Sequence, residues 1–209
     1  MTDPVQPAPH RRRRALLVGL IVVASLSASL ALDGVVARGI ARAQISYSYD
    51  LFTMFRLAGY LPLWVVVSMA FVLLDSRHGW RAAWWRGGLL FTSAALSGAV
   101  SEALKVLIRR ERPGDDLSTF VFRPWSDETF STSGLGWPSG HTAVAFAAAW
   151  TLSRLHPRAT PVWALVAIAC AFSRIVRNDH YLSDLVSATA LAYAVTSILW
   201  PVFGRLPRA

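Results

Sequence analysis

Apolar runs alternate with short polar connections along most of the chain. Residues 1–14 are polar and proline-rich and end in Arg11 to Arg14, after which no charge occurs from Ala15 to Leu32. A helix over that run rises about 27 Å, nearly the hydrocarbon thickness of a bilayer. It predicts a first membrane span. A basic segment before an apolar stretch also fits a signal peptide, but the run is longer than a usual signal core and further spans follow, which favours a retained helix. Residues 33–50 are mixed, with Arg38 and Arg42. Val35, Val36, Ile40 and Ile45 would give them an interfacial amphipathic face, and a plain solvated connector fits equally well.

A second span is expected over Leu51–Leu74, with Arg56 near one end and Pro62 inside, where a kink would fall. Asp75–Arg86 combines arginines with Trp80, Trp84 and Trp85, the pattern of a headgroup-level loop with aromatic anchors. Gly87–Leu107 is the third expected span and carries Glu102 and Lys105 on one helical face. Ile108–Ser139 is the longest polar connection, of a length that is often functional. Runs at Thr142–Leu155, Pro161–Ser173 and Leu185–Phe203 complete the pattern, the first two of them short enough to need their flanks. The expectation is an all-α, polytopic membrane helical bundle of about six transmembrane helices. It makes 15–203 the membrane domain, with cytoplasmic tails at 1–14 and 204–209.

Composition agrees: 54% of the 209 residues are hydrophobic, 16% are charged, and mean hydropathy is +0.41. Such a chain is too apolar for an ordinary soluble domain. The net charge of +9 could suggest nucleic acid, but the arginines lie between apolar runs and form no continuous basic face, so no nucleic-acid partner is expected. Cytoplasmic termini place Arg11 to Arg14, Arg77, Arg81, Arg86, Arg154, Arg158, Arg205 and Arg208 on that side, which the positive-inside bias favours. Cys170 is the only cysteine, which rules out an intrachain disulfide and a thiolate metal cluster.

Under this topology three polar stretches meet at the other face: Lys105–Pro113 (KVLIRRERP), Pro138–His141 (PSGH) and Ser173–Asp184 (SRIVRNDHYLSD). A phosphoryl group in transfer needs cations and donors around its equatorial oxygens, with a nucleophile and an acid in line on opposite sides. Lys105, Arg112 and Arg174 can supply the charge, Ser139 a hydroxyl, and Gly140 a closely approaching backbone N–H at a helix start. His180 and Asp184 share a face if the last helix begins early, and Asp184 could then accept the Nδ1 proton and leave Nε2 as nucleophile. His141 remains for the opposite side as acid and then base. Taken singly, each reads as readily as an interfacial anchor or a helix cap. The joint spacing is what carries information.

Lys, six residues, Arg-Pro; Pro-Ser-Gly-His; Ser-Arg, five residues, His, three residues, Asp: this set resembles the three-part signature of the type 2 phosphatidic acid phosphatase family, with every position filled. The resemblance implies that His180 forms a phosphohistidine, Asp184 orients it, and His141 protonates the leaving group. It implies that Lys105, Arg112, Ser139, Gly140 and Arg174 bind the phosphate, and that neither metal nor cofactor is needed. Outside the signature, Glu102 is expected to support Lys105, and Arg109 the substrate.

The leading expectation is therefore hydrolysis of a phosphomonoester or diphosphate on a membrane lipid: undecaprenyl diphosphate, phosphatidate, phosphatidylglycerophosphate or a lipid A phosphate. The bilayer and the lipid phosphate are the expected partners. The expected place is a bacterial inner membrane, with the site facing the periplasm or exterior. Selectivity is expected in the first two spans and in the 108–137 loop, where Phe120, Phe122, Trp125, Phe130 and Trp137 could meet a lipid. A phosphotransferase using the same phosphohistidine is one alternative, and a non-catalytic lipid-binding or transport protein is another. Vanadate-dependent haloperoxidases share the ligand set, but they are soluble.

Overall fold

The computed structural model describes residues 9–43, 49–76, 79–114, 117 and 120–203. Its helices are α1 (Pro9–Ala43), α2 (Tyr49–Leu57), α3 (Leu61–Asp75), α4 (Trp80–Ile108), α5 (Gly140–Leu155), α6 (Thr160–Val176) and α7 (Leu182–Phe203). Among the described residues the only β pairing is two isolated antiparallel bridges, Arg110 with Phe122 and Glu111 with Leu135.

Among the described residues, four helical stretches are long and apolar enough to cross a membrane: 12–43, 80–108, 157–176 and 182–203. α2 and α3 form a fifth as a pair bent by 59°. The chain is an integral membrane protein. The bend falls just before Pro62, which sits in the first turn of α3, where its missing N–H costs nothing. The indole N–H of Trp64 reaches back to the Ala58 carbonyl at 2.8 Å and closes the elbow.

α5 is the sixth segment and the centre of the bundle, packed against α4, α6 and α7. Its 16 residues span about 24 Å, short for a crossing. Small side chains explain its place: Ala143, Ala145, Ala147 and Ala148 are buried and let neighbouring backbones approach closely. Val144, Ala148 and Leu152 pack on Trp64, Leu90 and Ala94, while Ala145 and Ala149 pack on Ala58, Ala167 and Cys170.

Two expectations about connections change. Residues 33–43 are neither an interfacial helix nor a solvated connector but the last turns of α1, and positions 44–48 lie outside the described residues. Trp80, Arg81, Trp84, Trp85 and Arg86 belong to α4, so the loop expected over Asp75–Arg86 does not extend past Gly79. Tryptophan at headgroup depth is compatible with a helix that runs past the hydrocarbon. α1 is otherwise mostly lipid-facing, with Leu20 66% exposed, and buries chiefly Ser29, Asp33 and Ala37, one helical face near its C-terminal end.

The long connection folds around one side chain. Arg109 ends α4 in a left-handed conformation (φ 60°), and its guanidinium donates to the carbonyls of Arg123 (3.1 Å), Pro124 (2.9 Å), Thr129 (2.9 Å) and Asp127. Four carbonyls satisfy a buried cation without a carboxylate. Arg109 is thus a loop organiser, and its expected substrate contact is replaced by these bonds.

Candidate active site

The site forms where α4, α5 and α7 are tied together at one end of the bundle. After α6, a left-handed Asn178 (φ 55°) reverses the chain, and α7 begins at Leu182 with Asp184 in its first turn. Asp184 Oδ2 accepts the Tyr181 backbone N–H at 2.8 Å, as the acid of a capping box does, and lies 3.2 Å from His180 Nδ1. The same-face spacing of His180 and Asp184 is thus realised, with His180 as the last loop residue but one before the helix. Both are buried. Burial pushes the His180 pKa below its usual value against the opposing pull of Asp184, so the imidazole is neutral at neutral pH.

α5 starts against this pair. The Ser139 N–H donates to the Asp184 carbonyl (3.1 Å), the Thr142 hydroxyl to Ser139 Oγ (3.0 Å), and the Ser101 hydroxyl to the Pro138 carbonyl (3.1 Å). Gly140 faces the end of α4: a Cβ there would lie 2.9 Å from Glu102 Oε1 and 3.6 Å from Lys105 Nζ. Lys105 and Glu102 pair at 2.5 Å, as expected of a supporting acid, and Glu102 also accepts from Thr132.

His141 stands in the first turn of α5 with its Nε2 buried and without a partner among the described residues. Tyr60, from the α2–α3 elbow, packs edge-to-face on its ring at 4.9 Å. Gly59 presses on its backbone so closely that a Cβ would come within 2.5 Å of His141 Cβ. The charges acting on this imidazole are, in order, Arg174, Arg56, His180 and Lys105, which puts the proposed acid and nucleophile within electrostatic reach of each other.

Arg174, at the end of α6, is buried; one Nη donates to Asp179 at 3.0 Å, while Nε and the other Nη have no partner among the described residues. Asp179 also pairs with Arg177 at 3.0 Å and lies 4.0 Å from Arg112, whose side chain is 40% exposed. All the residues singled out in the sequence therefore gather at one end of the bundle. Among the described residues, no group of three His, Cys, Asp or Glu side chains is placed to hold a metal ion.

Other residues of the site escaped sequence reasoning. Asp179 lies inside the third motif and balances its arginines, a role its spacing did not announce. Arg56 and Tyr60 reach His141 only because the second span breaks. Asp33 and Arg110 stand behind Asp184: Arg110 donates to Ser183 Oγ at 2.8 Å and to Asp184 Oδ1, and Asp33 accepts from the Ser183 N–H at 2.7 Å.

Comparison with known proteins gives the chain a family and a fold. The family model described as the PAP2 superfamily matches residues 86–208. A lipid A 1-phosphatase of Rhizobium etli is 34% identical over 143 residues, covering 58% of this chain and 60% of that protein. A lipid A 1-phosphatase of Rhizobium johnstonii is likewise 34% identical, over 58% of this chain and 49% of its own. The chain thus spans about half to three-fifths of the length of these two relatives. A decaprenylphosphoryl-5-phosphoribose phosphatase of Mycobacterium tuberculosis is 29% identical over 70% of this chain and 75% of that protein. Among solved structures, the transmembrane PAP2-type phosphatidylglycerolphosphate phosphatase of Bacillus subtilis superposes with a TM-score of 0.65 at 17% identity, covering 92% of this chain and 97% of that one.

Proposed function

The chain belongs to the PAP2 superfamily, and from that premise we propose that it is a membrane lipid phosphatase acting through a phosphohistidine on His180. The observation that carries the reading is the pairing of a buried, neutral His180, held at Nδ1 by Asp184, with a buried Arg174 whose Nε and one Nη have no partner among the described residues. A nucleophile and a charged fork for phosphate oxygens then share one site.

In the first step Nε2 of His180 attacks phosphorus, and the bond from phosphorus to the lipid oxygen breaks. Protonated His141 gives its proton to that oxygen. Lys105, Arg112, Arg174, the Ser139 hydroxyl and the Gly140 N–H hold the three equatorial oxygens. Asp184 stabilises the positive charge that the imidazole acquires. In the second step water attacks phosphorus, His141 takes its proton, and the phosphorus–nitrogen bond breaks to release phosphate and restore His180.

The substrate is a phosphate or diphosphate on a lipid whose chains stay in the bilayer. The site faces outward from a bacterial inner membrane. The relatives' names make lipid A 1-phosphate and a lipid-linked phosphoribose the first lipids to test, followed by phosphatidylglycerophosphate, phosphatidate and undecaprenyl diphosphate. Release of inorganic phosphate by purified protein in detergent, with chelator present and His180→Ala in parallel, tests the reading. His180-dependent release from one of these lipids is expected. Full activity in His180→Ala would remove the phosphohistidine, and release that needs added metal would remove the metal-free step.

A further inference from the structure

Asp33 sits on α1, outside the matched family region, and is only 1% exposed. A carboxylate at membrane depth is costly unless it is satisfied, and such residues are commonly functional. Asp33 is satisfied from far along the chain. Its Oδ1 accepts the Ser183 backbone N–H at 2.7 Å, and its Oδ2 accepts the Ser183 hydroxyl. The same Oδ2 lies 3.8 Å from one Nη of Arg110. The other Nη of Arg110 donates to Ser183 Oγ at 2.8 Å and to Asp184 Oδ1. Phe120 and Tyr181 flank this guanidinium, their ring centres 4.8 and 5.3 Å from its carbon.

From this line of contacts we infer that Asp33 and Arg110 are positioning residues, a brace that fixes the orientation and charge of Asp184 and through it the readiness of His180. The inference rests on the phosphohistidine reading above. Arg110 occupies Oδ1 of Asp184 and so leaves Oδ2 for the Tyr181 N–H and His180 Nδ1. A lone guanidinium would also draw the Asp184 charge away from His180; Asp33 near the other Nη offsets it, so that two carboxylates share one cation and a net negative charge remains to face the imidazole. Both side chains are almost fully buried behind the carboxylate, so their loss acts on turnover more than on substrate binding.

The test reads the titration of His180 by histidine ¹⁵N NMR, and kcat and KM with phosphatidate, on the full chain in detergent. The charged or titratable groups facing His180 are Asp184 from α7, Arg174 from α6, Arg112 from the loop and His141 from α5, and the variants leave all of them in place. Asp33→Asn removes a negative charge and moves the His180 titration to lower pH, by about half a unit; Arg110→Gln removes a positive charge and moves it to higher pH by a similar amount. Each lowers kcat by about 10- to 100-fold with KM little changed. Arg110→Lys restores the titration but only part of kcat, since a point charge lacks the fork. The double variant Asp33→Asn/Arg110→Gln brings the titration back toward its original position.

A purely structural role would lower the yield of folded protein while leaving the titration and the kcat of the folded fraction unchanged, and that result overturns the brace. Shifts in the same direction would overturn it as well. The titration needs no turnover, so it tests the brace by itself. Absence of phosphate release by the unaltered protein, or release by His180→Ala, counts against the phosphatase reading instead.

Discussion

His180 is held neutral by burial, and this has a consequence in pH. A histidine whose folded pKa lies below its unfolded value of about 6.5 binds fewer protons folded than unfolded between the two. Its contribution to stability is complete above the unfolded value and is lost as pH falls toward the folded one. The nucleophile stays available over the same window, so the acid limb of kcat/KM lies below about pH 6.5, measured as a pH–rate profile. Asp184→Asn removes the influence that raises the imidazole pKa; the limb moves lower still, and kcat drops by about 100-fold or more. Gly140→Ala directs a methyl group at Glu102 Oε1 and Lys105 Nζ, and the expected outcome is an approximately tenfold loss in kcat/KM with weaker inhibition by orthovanadate. The site residues of the signature were legible because three fixed spacings converge on one chemistry. Asp33 was not, since its partner Ser183 is separated from it by 150 positions and a lone acid after an apolar run has no local pattern.

At the scale of elements, the apolar runs marked where helices occur but not where they end. Tryptophan and arginine flanks read as loop while extending α4 through the headgroup layer, and α1 runs on past Asp33 because that acid is buried against α7 instead of solvated. Pro62 signalled the break in the second span, but nothing in the run indicated that the elbow would deliver Tyr60 and Gly59 to His141. Gly59→Ala puts a Cβ at 2.5 Å from that of His141, with backbone also in the way, so neither side can yield cheaply. The expected cost is about 1–3 kcal/mol of stability in thermal unfolding in detergent. A displaced His141 also slows release of poor leaving groups more than good ones, which a series of aryl phosphates measures.

For the molecule as a whole, a membrane-embedded bundle carries a cap that folds by different rules. Between residues 120 and 139 four carbonyls of the 123–129 stretch gather on one buried guanidinium, so Arg109→Gln is expected to open the cap to limited proteolysis while the helices persist. Polar nucleation of this kind carries no hydrophobic period, which is why the segment read only as a long loop. The bundle beneath is the reverse case, centred on a helix whose buried positions are mostly alanine. In such a seam, even a methylene added at Ala147 or Ala148 has nowhere to go, because packed helices surround it. A map of tolerated substitutions would accordingly show two intolerant zones of different origin: one at the phosphate site, where chemistry forbids change, and one along α5, where only room does.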